Sequence, residues 1–393
     1  MPKKDRMSGN EAVAFGIKQV NPDVMPAFPI TPSTEIPQFV SSMIANGEID
    51  TEFIPVESEH SAMSAAMGAS AAGARTMTAT SSAGLAFMWE VLYVASSSRL
   101  PICMAVVNRA LTGPLNINAD HSDSMGARDS GWLQIYAETN QEVYDNFLQS
   151  FRIAEHPDVK LPIMICQDGF ITSHGVQNIT LWDDEDMKKF VGEYEPEHYL
   201  LKENEPMAVG PYAVSNYCME AKRAQAQGMI NAKQVILDVA KEFEAITGQK
   251  YGLFESYQLD DAQYAIVAIG SICGGIKDAV DELREQGMKV GLLKIRVFRP
   301  FPAQEIAEAL KGCKAIAVLD RAEGYSTQGG PLGTDVRAAL YKYKVMAESV
   351  NILYGLSGRD TRVEEIIEVY HQLEELANGK SPFDDYPYLG LRE

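Results

Sequence analysis

The sequence predicts an α/β protein, with a parallel sheet flanked by helices followed by a second, smaller α/β unit. Three observations carry that expectation. Short apolar runs recur along the first 175 residues and are uniformly apolar rather than alternating, as in strands covered on both faces. Helical patterns separate them, the order that produces parallel strands. The 393 residues, 46% of them hydrophobic, suffice for one large or two ordinary globular units with a core.

In chain order, Ser8 with Glu11 three residues on forms a capping box for the first helix. Six buried strands follow from "VMPAFPI" (24–30), "EFIPV" (52–56), "RTMTAT" (75–80), "PICMAVV" (101–107), "LQIYA" (133–137) and "LPIMICQ" (161–167). Between them, "SSAGLAFMWEVLYVASS" (81–97) and "NQEVYDNFLQSFRIAEH" (140–156) have helical spacing. Residues 180–212 are dense in charge and broken by proline, which marks a surface excursion. Helical spacing returns over 213–248, and "TGQKYGLFESYQLDDA" reads as a linker. From Gln263 strand and helix alternate again: "YAIVAIG", a helix over "GIKDAVDELREQG", "KVGLLKI", a helix within "RPFPAQEIAEALKG", "KAIAVLD", a helix near 332–346, "VNILYG" and a last helix over "RVEEIIEVYHQLEELANG". The predicted division is 1–255 and 256–393.

A net charge of −20 repels nucleic acid and anionic lipid, so neither is an expected partner. The N-terminus lacks a secretory pattern, and no run approaches the roughly 20 apolar residues of a membrane helix, so a cytoplasmic protein is expected. Five isolated cysteines without a C-x-x-C pair predict reduced thiols and no iron–sulfur or zinc site of the chain's own. "GSICGG" (270–275) misses the dinucleotide spacing, because its glycines fall at 270, 274 and 275. "NGKS" (378–381) has Glu374 where a phosphate loop needs glycine. "DHSD" (120–123) reads as a loop whose Asp and Ser cap the next helix rather than as a metal site.

Three features follow the carboxyl ends of the early strands, where doubly wound sheets bind ligands. They are "FPITPSTE", with Thr31 and the candidate caps Ser33 and Thr34; "ESEH", with Glu57 and Glu59; and "VVNRALTGPLNINADHSDS", with Arg109. Each has a plain reading: Thr31 as a turn residue, Glu59 as a helix-start carboxylate favoured by the dipole, Arg109 as its ion-pair partner. A hydroxyl, a carboxylate and a guanidinium on one edge together point to a site.

These segments carry a more specific signal. "FPITPST", "ESEHSAMSAAMGASAAGARTMTATSSAGLAFMWE", "NRALTGPLNINADHSDSMGARDSGW" and "QDGFITSH", with "GSICGGIKDAVDELREQGMKVGLLKIRVFRPFP" and "GLSGRD" further on, resemble the α subunit of the 2-oxoacid:ferredoxin oxidoreductases, most closely the pyruvate enzyme. The resemblance implies a thiamine-diphosphate-binding domain of the pyrimidine type over 1–255 and a transketolase C-terminal-like domain over 256–393. It places Glu59 against N1′ of the aminopyrimidine, where a shared proton favours the tautomer that activates the cofactor. Pro29 and Ile30 fall beside the cofactor, and Arg109 and Thr31 on the substrate's carboxylate and polar end.

The family reaction is CoA-acylating oxidative decarboxylation, here foremost of pyruvate to acetyl-CoA. Oxalate, 2-oxoglutarate and branched-chain 2-oxoacids are alternatives, as are a non-oxidative transketolase-like subunit and a non-catalytic scaffold. The Mg²⁺-binding G-D-G motif is missing, "QDGF" (167–170) being the nearest string. The resemblance therefore implies a β subunit with the diphosphate and Mg²⁺ site and a 4Fe–4S cluster, γ and δ subunits or their equivalents, and ferredoxin. His60, Thr172 and His174 stand between cofactor or substrate contact and structural roles. Arg299 with Pro300 is expected in packing or an interface, Asp120 and Asp123 in shaping the loop of Asn116 and Asn118, and Glu57 in solvent or an interface.

Overall fold

The structure is a computed structural model describing residues 2–392. Its first unit comprises β1 (Lys3–Met7), α1 (Gly9–Val20), β2 (Val24–Ala27), α2 (Glu35–Ala45), β3 (Glu52–Pro55), α3 (Glu59–Ala71), β4 (Met77–Thr80), α4 (Ser82–Phe87), α5 (Trp89–Ser97), β5 (Cys103–Asn108), α6 (Ser122–Gly126), β6 (Leu133–Tyr136), α7 (Asn140–Glu155), β7 (Ile163–Asp168), β8 (Gln177–Leu181), α8 (Asp184–Val191) and α9 (Ser215–Thr247). The second comprises β9 (Phe254–Tyr257), β10 (Tyr264–Ala268), α10 (Ile272–Glu285), β11 (Val290–Ile295), β12 (Val297–Arg299), α11 (Ala303–Leu310), β13 (Ala315–Asp320), α12 (Pro331–Lys342), β14 (Glu348–Leu353) and α13 (Val363–Ala377).

All six strands expected in the first unit form, and all pair in parallel. Four lie in the order β6-β7-β5-β4, while β2 and β3 pair separately and approach β4 through a bridge between Val24 and Thr76. The chain leaves β2 toward β3 and leaves β4 toward β5, so connections diverge where β2 meets β4. A crevice opens at such a switch point beyond the strands' carboxyl ends. The capping box is present: the Ser8 hydroxyl accepts from the Glu11 amide, and the Glu11 carboxylate accepts from the Ser8 amide.

The second sheet runs β14-β13-β10-β11-β9, with only β9 antiparallel. Four features differ from the sequence expectation. β1 and β8 form an antiparallel ribbon; "KKDRM" is too charged to read as a strand. β9 lies inside the stretch expected to be a linker. Residues 81–97 form two helices, broken at Met88. Lastly, β12 returns from the second unit to pair with β6 of the first sheet.

The core explains why the units hold together. α7 presents Tyr144, Phe147 and Phe151 to Ile17 of α1, all fully buried. A second cluster mixes Met104, Trp132 and Met164 with Leu293, Phe298 and Val318, so apolar side chains from both sheets are removed from water together. Cys103, Cys166, Cys273 and Cys313 are buried free thiols and Cys218 is exposed. Among the described residues, no helix is long and apolar enough to cross a membrane.

Candidate active site at the carboxyl ends of the first sheet

Glu59 begins α3. Ser58 adopts extended backbone angles and its hydroxyl accepts from the Ser61 amide, capping the helix so that Glu59 occupies its first position. The neighbouring carboxylate, Glu57, is exposed and accepts from the Ser61 hydroxyl, which holds it below the usual carboxylate range. Glu59 instead turns inward and is 7% exposed. Its carboxylate accepts no hydrogen bond and makes no ion pair among the described residues. Gly84 of α4 packs directly on it: a Cβ there would lie 2.8 Å from Glu59 Oε1 and 2.5 Å from Thr80 Oγ1. The buried Thr80 and Ser81 hydroxyls beside it are unpartnered. Buried polar groups are rarely left so.

Arg109 follows β5 and is 8% exposed. Its Nε donates to the Asn116 carbonyl and its Nη1 to the Thr31 carbonyl, each at 3.0 Å. The guanidinium is thereby fixed by two backbone oxygens while Nη2 has no partner among the described residues. Thr31 comes to Arg109 through its carbonyl and leaves its side chain exposed. Pro29 is exposed and Ile30 half-buried in the same turn, which Ser33 closes by donating both amide and hydroxyl to the Ile30 carbonyl. Neither Ser33 nor Thr34 caps α2: closing the turn occupies the Ser33 hydroxyl.

The structure revises the reading of "DHSD". Asp120 does accept from the Ser122 amide, as a capping turn should. Asp123 does not cap α6; it receives the amides of Ser82 and Arg109 and the Asn108 side chain. "QDGF" also has a structural use. Asp168, 1% exposed, is bound by His121 Nε2 at 2.6 Å, Arg321 Nη1 at 3.0 Å and the Ser271 amide at 2.9 Å. Burial alone would raise its carboxyl, but His121 and Arg321 overcome that and hold it well below the usual range. Gly169 serves close packing, since a Cβ there would lie 2.5 Å from the Asn108 carbonyl oxygen.

The other candidates sit around this centre. His60 is half-buried against Phe87, with ring centroids 6.0 Å apart. The Thr172 carbonyl accepts from the Gly9 amide at the start of α1. His174 contacts the Ser173 hydroxyl and lies 3.7 Å from Glu35. Arg299 bonds Asp335 at 2.8 Å and the Arg128 carbonyl at 3.1 Å, joining the units as its packing role requires. Glu138, Glu142 and Glu255 cluster within 4.8 Å, but around the Lys294 ammonium, at 2.6, 2.5 and 2.7 Å.

Residues 15–241 match the family described as pyruvate flavodoxin/ferredoxin oxidoreductase, thiamine diphosphate-binding. Residues 262–366 match core domain II of pyruvate:ferredoxin oxidoreductase. The chain belongs to the pyruvate:ferredoxin oxidoreductase family. It is 50% identical to pyruvate synthase subunit PorA of Thermotoga maritima and 46% identical to that of Methanocaldococcus jannaschii, covering 98% of both chains in each pair. It is also 42% identical to ketoisovalerate oxidoreductase subunit VorA of Pyrococcus abyssi, over 95% of this chain and 94% of that one.

Two solved structures share the fold. A 2-oxoglutarate:ferredoxin oxidoreductase from Magnetococcus marinus superposes with a TM-score of 0.71 at 20% identity, covering 94% of this chain and 65% of that chain. A split-gene transketolase superposes with a TM-score of 0.56 at 12% identity, covering 94% of this chain and 99% of that one. The fold is thus a thiamine-diphosphate-binding domain followed by a smaller α/β domain.

Proposed function

We propose that this chain is the α subunit of a CoA-acylating 2-oxoacid:ferredoxin oxidoreductase that converts pyruvate reversibly to acetyl-CoA and carbon dioxide while reducing ferredoxin. The observation that carries this reading is the buried, unpartnered Glu59 carboxylate under Gly84. Such a carboxylate fits a ring nitrogen with which it can share a proton, and the bare glycine leaves a flat surface beside it. Thiamine diphosphate, when bound, supplies the carbanion chemistry of decarboxylation.

This chain's residues do the placing. Glu59 holds a proton in a site small side chains keep dry. Arg109, fixed by the Asn116 and Thr31 carbonyls, offers Nη2 to the substrate carboxylate, which suits a rigid fork of donors. Thr31 contributes its exposed hydroxyl to the substrate's polar end, with Pro29 and Ile30 beside the cofactor. The Mg²⁺ and diphosphate site and the 4Fe–4S clusters belong to partners, a β subunit with γ and δ subunits, in the cytoplasm. In support, Asp168 is committed to His121, Arg321 and Ser271, and the buried cysteines are dispersed.

The test is CoA-dependent viologen reduction by the complex assembled with its partner subunits. Glu59→Gln is expected to lower turnover by a factor on the order of 10² to 10⁴, the range for a lost proton-transfer group, without changing assembly or the unfolding temperature. Wild-type turnover in that variant rules the assignment out. A branched-chain 2-oxoacid is the second reading, supported by the full-length likeness to the ketoisovalerate subunit; it requires 2-oxoisovalerate to exceed pyruvate in kcat/KM.

A further inference from the structure

Helix α4, which leans on Glu59 through Gly84, starts without a cap of its own. Ser81 is in the capping position, yet its hydroxyl bonds nothing and α4 has no side-chain cap. The acceptor comes instead from Asp123, 41 residues away, whose Oδ2 accepts the Ser82 amide at 2.9 Å. The same oxygen accepts the Arg109 amide at 3.0 Å. Oδ1 takes the Asn108 side-chain amide at 2.8 Å and the Ser124 amide at 2.7 Å. The carboxylate is 3% exposed, with four donors around it and no cation among its bonded partners.

A buried carboxylate without a cation is costly: burial pushes the Asp123 carboxyl up to about 6 although all four donors pull it down. What distinguishes its position is which two backbones meet on one oxygen. One carries Arg109; the other carries Gly84 and so bounds the Glu59 carboxylate. A second tie runs the same way, from the Ser82 hydroxyl to the Ala110 carbonyl at 2.5 Å. Resting on the roles given above to Glu59 and Arg109, we propose that Asp123 is a positioning residue that fixes the substrate arginine relative to the Glu59-facing helix, one carboxylate oxygen holding the backbone of both.

The test uses the complete complex and oxamate, an unreactive analogue of a 2-oxoacid, with its Kd read by calorimetry beside steady-state kinetics. Asp123→Asn replaces one oxygen by a donor, so one pair of amides loses its acceptor. The expected result is an oxamate Kd raised about tenfold, with a higher KM for pyruvate. Tyr136→Phe is the control, because it deletes a hydrogen bond to the Ser124 hydroxyl in the same buried pocket without touching either amide. It is expected to lower the unfolding temperature and leave the Kd unchanged.

Asn108→Ala, which removes one of the two donors to Oδ1 together with a bond to the Ser124 hydroxyl, covers the case in which Asp123→Asn fails to assemble; about a threefold rise is expected. Oxamate binding that Arg109→Lys weakens but Asp123→Asn or Asn108→Ala does not overturns this proposal alone. A wild-type complex that fails to bind oxamate overturns the substrate reading and this proposal with it.

Discussion

Glu59 owes its isolation to neighbours without bulk. Beyond Glu59 and His60, α3 is built from Ala, Ser, Met and Gly, and Gly84 presses on the carboxylate from α4. Gly84→Ala would place a methyl group 2.8 Å from Oε1 and 2.9 Å from Cγ, so the side chain must move. Overpacking of that kind costs about 1–3 kcal/mol, whereas a displacement of about 1 Å at a reacting group costs roughly 100-fold in rate. Activity is therefore expected to fall far more than stability, measured as kcat/KM beside the unfolding temperature. Full activity in Gly84→Ala would sink the idea that this face is fixed. Glu59 and Arg109 stand out in the sequence because each lies within a few residues of a strand's carboxyl end. Asp123 does not, because its partners are backbone amides of Ser82 and Arg109, and amides leave no trace in residue identity.

At the scale of elements, uniform apolar runs made the parallel strands legible, since burial on both faces removes every polar alternative. Helix α7 was legible through its amphipathic period, bounded by the Thr139 cap. The elements missed are those decided by tertiary partners. "KKDRM" becomes β1 only because β8 lies beside it, and "VFR" becomes β12 only because β6 has a free edge. Arg75 is similar: at the entry to β4 it grips Glu155, at the end of α7, with two bonds of 2.7 Å, Arg75 being buried and Glu155 nearly so. Arg75→Ala strands the Glu155 carboxylate, whose carboxyl burial already pushes up against the pull of Arg75. A loss of about 3–5 kcal/mol is expected. The double change Arg75→Leu with Glu155→Leu should recover much of it, because packed apolar pairs often replace buried ion pairs at little cost. Calorimetric unfolding checks both; equal losses in the single and double variants would show that shape, not charge, governs the joint.

Beyond their shared apolar core, the two sheets meet at a buried carboxylate. Asp168 ends β7 of the first sheet, while Ser271 and Arg321 follow β10 and β13 of the second. The Ser271 hydroxyl also donates to this carboxylate. Because His121 and Arg321 hold the carboxyl well below its usual value, its contribution is complete above the unfolded pKa of about 3.9 and is lost only as pH falls below that. Three other buried carboxyls act in the opposite sense. Burial raises Asp123 to about 6 and Asp145 and Asp320 to about 7, so ionising each costs stability as pH climbs from about 4 through those values. The wild-type unfolding temperature is thus expected to decline from about pH 4 to about pH 7 and to level off beyond. Asp168→Asn leaves the buried Arg321 guanidinium and the His121 ring without their carboxylate partner and should cost about 3–5 kcal/mol at neutral pH. Since Asp168 does not titrate between pH 5 and 8, the variant's curve should run parallel to the wild-type curve, displaced downward. Calorimetry across that range decides: curves that coincide at pH 7, or converge within the window, would show that the sheets are joined by their shared apolar core and not by this carboxylate.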